Sequence, residues 1–286
     1  GWLDRRTNFD LRRNEEPIHL FEIGVDGSGL RQLTAGQWSD LDPAYAPSGD
    51  VVFVSERCGA SLQCNEYDKD ETSCNLYACR PDGSDVRRLS VSKDGDYLPH
   101  ALADGTIGYT RWEYQERGWA HVQSIWFIRP DGTGADALFK QHLNDPWALE
   151  DVRSIPGTET HRLAAVATGH HTLAAGPVVI VTPSVAMNDP AAIRIVTPGV
   201  YPPEGGMSGV PVSEGGVFDH GGTYMHPWPL SERHFLVSYC YGKQTDPTGY
   251  ALYLIDVFGA KELIYRSGDI SCFQPVPLRA RPLPPI

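Results

Sequence analysis

Three near-copies of one nine-residue segment limit what this chain can fold into: Asp26–Thr34 (DGSGLRQLT), Asp82–Ser90 (DGSDVRRLS) and Asp131–Phe139 (DGTGADALF). An apolar stretch precedes each copy (IHLFEIGV, NLYACRP, SIWFIRP), and an Asp-Pro or Leu-Pro step follows the first two. Glycine enters positive φ without steric cost, so Asp-Gly closes a tight hairpin between two strands. A strand, an Asp-Gly turn, a second strand and a return, recurring at about 50 residues, is the pattern of a β-propeller blade.

A blade has four antiparallel strands, A innermost to D outermost, and the Asp-Gly turns then join C to D. On that frame blade two runs from Asp42 to Ser90, with A near Pro43–Ala46, B at Val51–Glu56, C at Leu76–Arg80 and D at Val86–Leu89. Blade three runs from Tyr97 to Phe139, with B at Ile107–Trp112 and C at Ser124–Ile128. Blade four places A near Val152–Ile155, B at Arg162–Thr168, C at Val178–Thr182 and D at Ile193–Val196. Blade five starts at Met225, with B at Phe235–Tyr239, C at Ala251–Val257 and D at Glu262–Tyr265. The N-terminal stretch supplies B (Asn8–Arg12), C (Ile18–Val25) and D (Leu30–Leu33) strands but no A, and the C-terminal stretch supplies one A-like strand, Ser271–Leu278. Pairing these closes the ring and removes an aggregation-prone edge. The chain therefore reads as all-β: a five-bladed β-propeller, one domain over residues 1–286, closed by pairing of its N- and C-terminal strands. Six blades are the alternative if Pro198–Thr223 holds strands, although its Gly/Pro-rich composition reads as a long loop.

Composition agrees with dense turns, through Gly 29 and Pro 23, and no long helical periodicity appears. Net charge is −12 with no basic stripe, which excludes nucleic acid as a partner class. No apolar run reaches the roughly 18 residues of a membrane span. Gly1 is not an initiator Met, so the chain reads as a mature form or an excised segment. There is no GxSxG elbow, no P-loop and no GxGxxG after a strand, and no CxxCH to attach a haem to this chain.

Cysteines stand at 58, 64, 74, 79, 240 and 272, without the CxxC pairs of zinc ribbons. An even count around a polar loop predicts disulfides and an oxidising compartment, periplasmic or extracellular. Two local bridges are expected among Cys58, Cys64, Cys74 and Cys79, and a third between Cys240 and Cys272. Asp68, Asp70 and Glu71 are oxygen ligands in type, but they lack the frame of a calcium loop and read as solvated.

In this strand order the D–A and B–C loops open on one face, and loops on a rigid scaffold carry function. That face collects Glu56, Arg57, Arg111, Trp112, His170, His171 and His226 as ligand-binding candidates. Imidazoles can hold a divalent metal or act as general acid and base, and His171 with His226 are the metal candidates. Adjacent residues of a strand point to opposite faces, so His170 and His171 both face the channel only if the chain turns at Gly169. Arg111-Trp112 can stack a sugar, or Trp112 can pack between blades. Glu56, Glu113, Glu150 and Asp151 reach the same face, which keeps a glycosidase in view. No cofactor is assigned beyond a divalent ion, and the partner is a protein or a carbohydrate.

Blades two and three, with DGSGLRQLT, AYAPSGDVVFVSERCG and TIGYTRWEY, resemble the TolB-type, WD40-like (PD40) repeat over about half the chain. RCG at 57–59, YTRWEY at 109–114, GHH at 169–171, HPWPLSE at 226–232 and the closing PVPLRARPLPP resemble planctomycete-type secreted proteins similar to the propeller region of the hydrazine synthase alpha subunit. That resemblance implies a propeller module in a haem-containing redox assembly, with the haems held outside it. A weaker resemblance, to oligogalacturonate lyases, implies a histidine-held manganese ion and a metal-assisted carbohydrate-active enzyme. Three functional expectations follow: a ligand- or partner-binding scaffold, such an enzyme, or a redox-assembly module.

Overall fold

The computed structural model describes residues 17–60, 73–114, 123–158, 162–170, 172–204, 222–244 and 246–286. Its strands are β1 (Phe21–Glu22), β2 (Arg31–Gln32), β3 (Asp40–Tyr45), β4 (Val51–Ser55), β5 (Asn75–Cys79) and β6 (Arg87–Arg88). There follow β7 (Gly95–Ala101), β8 (Ile107–Trp112), β9 (Gln123–Ile128), β10 (Asp136–Phe139), β11 (Ala148–Ser154) and β12 (Leu163–Thr168). The last are β13 (Val178–Val181), β14 (Ile193–Ile195), β15 (Thr223–Pro229), β16 (His234–Cys240), β17 (Tyr250–Asp256) and β18 (Lys261–Tyr265). The described chain is all-β apart from a single 3-10 turn at Pro190–Ala192.

Two compact units divide these elements. The first holds residues 17–114, Phe127–Asp136 and Pro284–Ile286, and the second holds 123–126 and Ala137–Leu283. In the first, β3-β4-β5-β6 form a four-stranded antiparallel meander, and in the second β15-β16-β17-β18 form another. β11-β12-β13-β14 repeat the order in the second unit, where Ala148 also pairs parallel to Gln123.

The three Asp-Gly copies fold alike. Arg80 N–H donates to Ser84 and Gly83 N–H to Arg80, as Arg129 does to Thr133 and Gly132 to Arg129. In each copy the Asp carboxylate accepts from the residue two positions on: Asp26 from Ser28, Asp82 from Ser84, Asp131 from Thr133. Gly27, Gly83 and Gly132 take φ of 83°, 84° and 86°.

A second repeat is tertiary. Asp42, Leu98, Asp151 and His226 each lie in an innermost strand at positive φ, 49°, 53°, 57° and 52°, and each sits at a register shift against the next strand. This is a β-bulge, where the ladder is interrupted and no N–H is required. Pro43, Pro99 and Pro227 follow three of the four. Gln274, at φ 52° and followed by Pro275, shares the positive φ and the proline outside any assigned strand.

Two residues before the bulge, the backbone N–H bonds to a carbonyl of an earlier segment. Asp40 donates to Ile18, Asp96 to Cys74, Tyr224 to Gly176 and Cys272 to Tyr250. Residues 271–278 thus carry the inner-strand pattern, although no strand is assigned there. The inner strands start earlier than the sequence suggests because the bulge admits a proline mid-strand. The expected Asn8–Arg12 strand lies outside the described residues.

Each unit has its own apolar core. Leu20, Val51, Phe53, Tyr77 and Cys79 cluster in the first; Val178, Ile180, Tyr224, Phe235, Val237 and Ile255 are among those clustered in the second.

The disulfide expectation is corrected: Cys58, Cys74, Cys79, Cys240 and Cys272 are free thiols, and Cys64 lies outside the described residues. Cys74 and Cys79 stand at opposite ends of β5, and a five-residue strand step of about 16 Å exceeds the roughly 7 Å limit for Cα atoms of a bridge. Cys58 donates instead to the Ser73 carbonyl at 3.1 Å, and Cys240 to that of Lys243 at 3.3 Å. Burial pushes the Cys74, Cys79 and Cys240 thiols up, away from the reactive thiolate.

Candidate functional site

Four sequence-predicted residues belong to the first unit. Glu56 follows β4 and is buried, its carboxylate accepting from Ser39 N–H at 3.2 Å. One guanidinium nitrogen of Arg57 sits 2.6 Å from both oxygens of Asp40, and the same group lies 5.5 Å from the ring centres of Phe53 and Tyr77. Arg111 makes a two-nitrogen fork on Asp96, at 2.7 and 2.9 Å, and stacks over Tyr109. Burial alone would lower the Arg111 guanidinium, but hydrogen bonding and charge from Asp96 outweigh it and the net shift is upward. Trp112 packs edge-on against Tyr114.

Both aspartates occupy the same place, two residues before the bulge, where the backbone N–H groups donate to Ile18 and Cys74. Arg57 and Arg111 therefore act first as clasps across an inner strand. In the second clasp Ser90 Oγ extends the network, donating to Asp96 at 2.6 Å.

The histidines belong to the second unit. Thr168 ends β12, and its Oγ1 lies 2.7 Å from Thr172 Oγ1, to which Gly169 N–H also donates. His170 N–H donates to Glu204 at 2.5 Å, and Gln123 Nε2 meets His170 Nδ1 at 2.7 Å. The Gln123 amide fixes the orientation of the half-buried ring, and Glu204 fixes the backbone that carries it. Gly169 is required here, since a Cβ would collide with the Glu204 side chain.

His226 is buried, at the bulge within β15 and not at the strand's start, with its ring edge-on to Phe273 at 5.5 Å. His171, and the loop acids Asp68, Asp70 and Glu71, lie outside the described residues. Among the described residues no three His, Cys, Asp or Glu side chains gather as metal ligands.

Lys140 stands just past the third Asp-Gly copy, whose last residue is Phe139 where the other two copies end in a hydroxyl. Thr34 and Ser90 accept from the backbone N–H of Leu20 and Leu76, and Thr197 does the same for Val178 in the second unit. Lys140 is fully buried, donates Nζ to the Trp147 carbonyl at 2.9 Å, and is pushed by burial down to about 7, with Asp145 opposing. The signal beside it was a break in the repeat: Leu138-Phe139 stands where Leu33-Thr34 and Leu89-Ser90 stand, and Lys140 follows. Gln123 and Glu204, which hold His170, had no local signal, because their partners lie 47 and 34 residues away.

No family model and no curated protein matches the chain. Solved structures do. Hydrazine synthase from Kuenenia stuttgartiensis superimposes with a TM-score of 0.70 at 15% identity, over 90% of this chain and 36% of that one. Oligogalacturonate lyase from Vibrio parahaemolyticus gives 0.48 at 11% identity, over 88% and 61%, and a TolB from Agrobacterium tumefaciens gives 0.33 at 23% identity, over 42% and 40%. The first likeness establishes a shared fold; this chain spans about a third of that protein's length. The class is accordingly an all-β chain of several sheets with β-propeller relatives in structure. No helix among the described residues is long and apolar enough to cross a membrane.

Proposed function

We propose that the chain is an extracytoplasmic, TolB-like β-propeller module that binds a protein or carbohydrate partner. In this reading residues 1–286 make one ring of five blades, sealed by Ser271–Leu278 pairing with the N-terminal strand. Four positive-φ inner-strand positions, with Gln274 at positive φ in the closing segment, support that count. The observation that carries the binding reading is the His170 segment, where Gln123 meets the half-buried imidazole while Glu204 and Thr172 hold the backbone N–H groups of His170 and Gly169. A pre-ordered polar group loses little entropy on binding, so it suits recognition.

The full chain, screened against an oligosaccharide panel and by pull-down, should yield a partner whose affinity falls at least tenfold in His170→Ala, a loss of about 1.4 kcal/mol. The melting temperature should stay within a few degrees. One divalent ion per chain, retained through dialysis and lost in His170→Ala or His226→Ala, would replace this reading with the metal-assisted carbohydrate-active enzyme. Ring closure has its own test: deleting residues 270–286 should give an aggregating product, and a soluble one with unchanged melting temperature would overturn it.

A second reading, a propeller module of a redox assembly, is favoured by the superposition on hydrazine synthase over 90% of this chain. No CxxCH occurs in these residues, so a c-type haem of such an assembly would be attached to other segments or subunits.

A further inference from the structure

The opposite end of the second unit holds charge that its own carboxylates do not match. Arg153 lies at the end of β11 that pairs with the start of β12, where Ser154 faces Leu163, whereas His170 follows the other end of β12. Trp228 occupies the matching place in β15, beside the Pro229–Phe235 pair. Both stand two residues past their bulge positions, Asp151 and His226.

The Arg153 and Arg281 guanidinium carbons lie 4.7 and 4.5 Å from the centre of the Trp228 indole. Two like charges on one ring repel, and the arrangement has little to offset them. Arg153 has a single ionic contact, Nη2 to Asp151 Oδ1 at 3.3 Å, and its buried Nε–H has no acceptor among the described residues. Arg281 meets no carboxylate among the described residues and is exposed. Burial lowers the Arg153 guanidinium, Asp151 opposes this, and the Arg281 charge adds to the lowering.

A buried arginine is ordinarily saturated by a carboxylate fork, as Arg111 is by Asp96. Arg153 is nine-tenths buried and left with a donor to spare, beside a second arginine and a half-exposed indole. An oxyanion there would accept from the spare Nε–H, balance the second charge and rest against the ring. We propose that Arg153, Arg281 and Trp228 form a binding site for the oxyanion of a small ligand, carboxylate or phosphate. The site is separate from the His170 segment and does not depend on that segment's role.

The chain carries a net charge of −12, so its general field repels anions and retention has to be local. The full chain is titrated with inorganic phosphate and, separately, with malonate, at ionic strength held constant with sodium chloride. Melting temperature and calorimetric heat are followed. At ten times Kd either probe should raise the melting temperature by about 3 °C in a saturable manner. Phosphate alone, malonate alone or both acting would each support the site and name its ligand chemistry. Arg281→Gln, at an exposed position, should weaken binding at least tenfold, and Arg80→Gln, in the first unit, should not. Arg153→Lys should weaken it too, since an ammonium has no planar fork. Absence of a saturable response to both probes overturns the proposal, as does wild-type affinity in Arg281→Gln or an equal response to added chloride.

Discussion

The same inner-strand bulge is secured differently in the two units. In the first, the residue two before the bulge is an aspartate, and Asp40–Arg57 and Asp96–Arg111 clasp it to the neighbouring strand. In the second, that position is Leu149 or Tyr224, whose register partners are Ala167 and Tyr239. The Tyr224 and Tyr239 rings meet at 4.7 Å, and Tyr239 meets Tyr253 edge-on. A backbone repeat can thus be conserved while the force behind it changes from ionic to apolar. The two devices fail differently: removing half of a buried ion pair strands a charge, whereas trimming an aromatic contact removes a few favourable atoms.

The largest effect should follow from breaking an ionic clasp on one side. Asp96 is fully buried and Arg111 nearly so, at 11% side-chain exposure. Asp96→Ala should destabilise by about 3–5 kcal/mol, because the guanidinium is left buried without its carboxylate. The paired change Asp96→Leu with Arg111→Leu should recover most of that loss in urea unfolding. If the double variant is as unstable as the single one, the clasp gives more than charge balance and the contrast between the units weakens.

Lys140, a buried amine just past the third Asp-Gly copy, predicts a pH dependence. Its folded value, near 7 through burial, lies below the ordinary lysine value. Between pH 7 and about 10 the unfolded chain therefore binds one more proton than the folded chain, and stability rises with pH. The destabilisation is full below pH 7, where both states are protonated. The slope should be about 1.4 kcal/mol per pH unit from pH 7 to 9 in urea unfolding. Lys140→Met should remove that slope while leaving the Asp96→Ala effect intact. A wild-type curve flat over that range would mean that the ammonium finds enough polar support from Asp145 and Trp147.

Much of the blade layout was legible because its signals are local. An Asp that accepts from a residue two positions on, followed by a glycine at positive φ, writes its turn into nine residues, and the strands around it fell within a few residues of where the pattern puts them. What was missed depends on distance. Proline read as a strand start, but the bulge tolerates it mid-strand. Cys58, Cys64, Cys74 and Cys79 read as two local bridges of open connectivity, but Cys58, Cys74 and Cys79 are free thiols, and the extended β5 separates the last two. Arg57 and Arg111 read as ligand groups, yet each answers a carboxylate in the inner strand; the Asp-x-Asp-Pro and Asp-x-Leu-Pro steps at 40–43 and 96–99 held that information. His170 was legible as a residue, whereas its support by Gln123 and Glu204 is tertiary.

The Asp-Gly turns offer a graded test of local against packed environment within the first unit. Gly27 and Gly83 share a φ near +84°, yet a Cβ at Gly27 meets open space and one at Gly83 would collide with the Leu33 carbonyl. Gly27→Ala should therefore cost only the left-handed penalty of about 1 kcal/mol. Gly83→Ala should exceed it by at least about 1 kcal/mol, since a backbone must also shift. Equal losses would mean that the turn rotates freely away from Leu33.

The smallest effect belongs to the apolar clasp. Tyr224 is buried against Tyr239 and Phe235, and burial pushes its phenol above the ordinary tyrosine range. Tyr224→Phe keeps the ring and its tilted contact, and removes one oxygen. The loss should stay within about 1 kcal/mol, which moves the melting temperature by no more than about 4 °C. It should also be the same at pH 5 and pH 8, because no charge is stranded. Asp96→Asn, by contrast, leaves Arg111 without its counter-charge at either pH. A Tyr224→Phe loss as large as that of Asp96→Ala would show that the second unit hides a polar clasp of its own, and the ionic-against-apolar distinction between the units would fall.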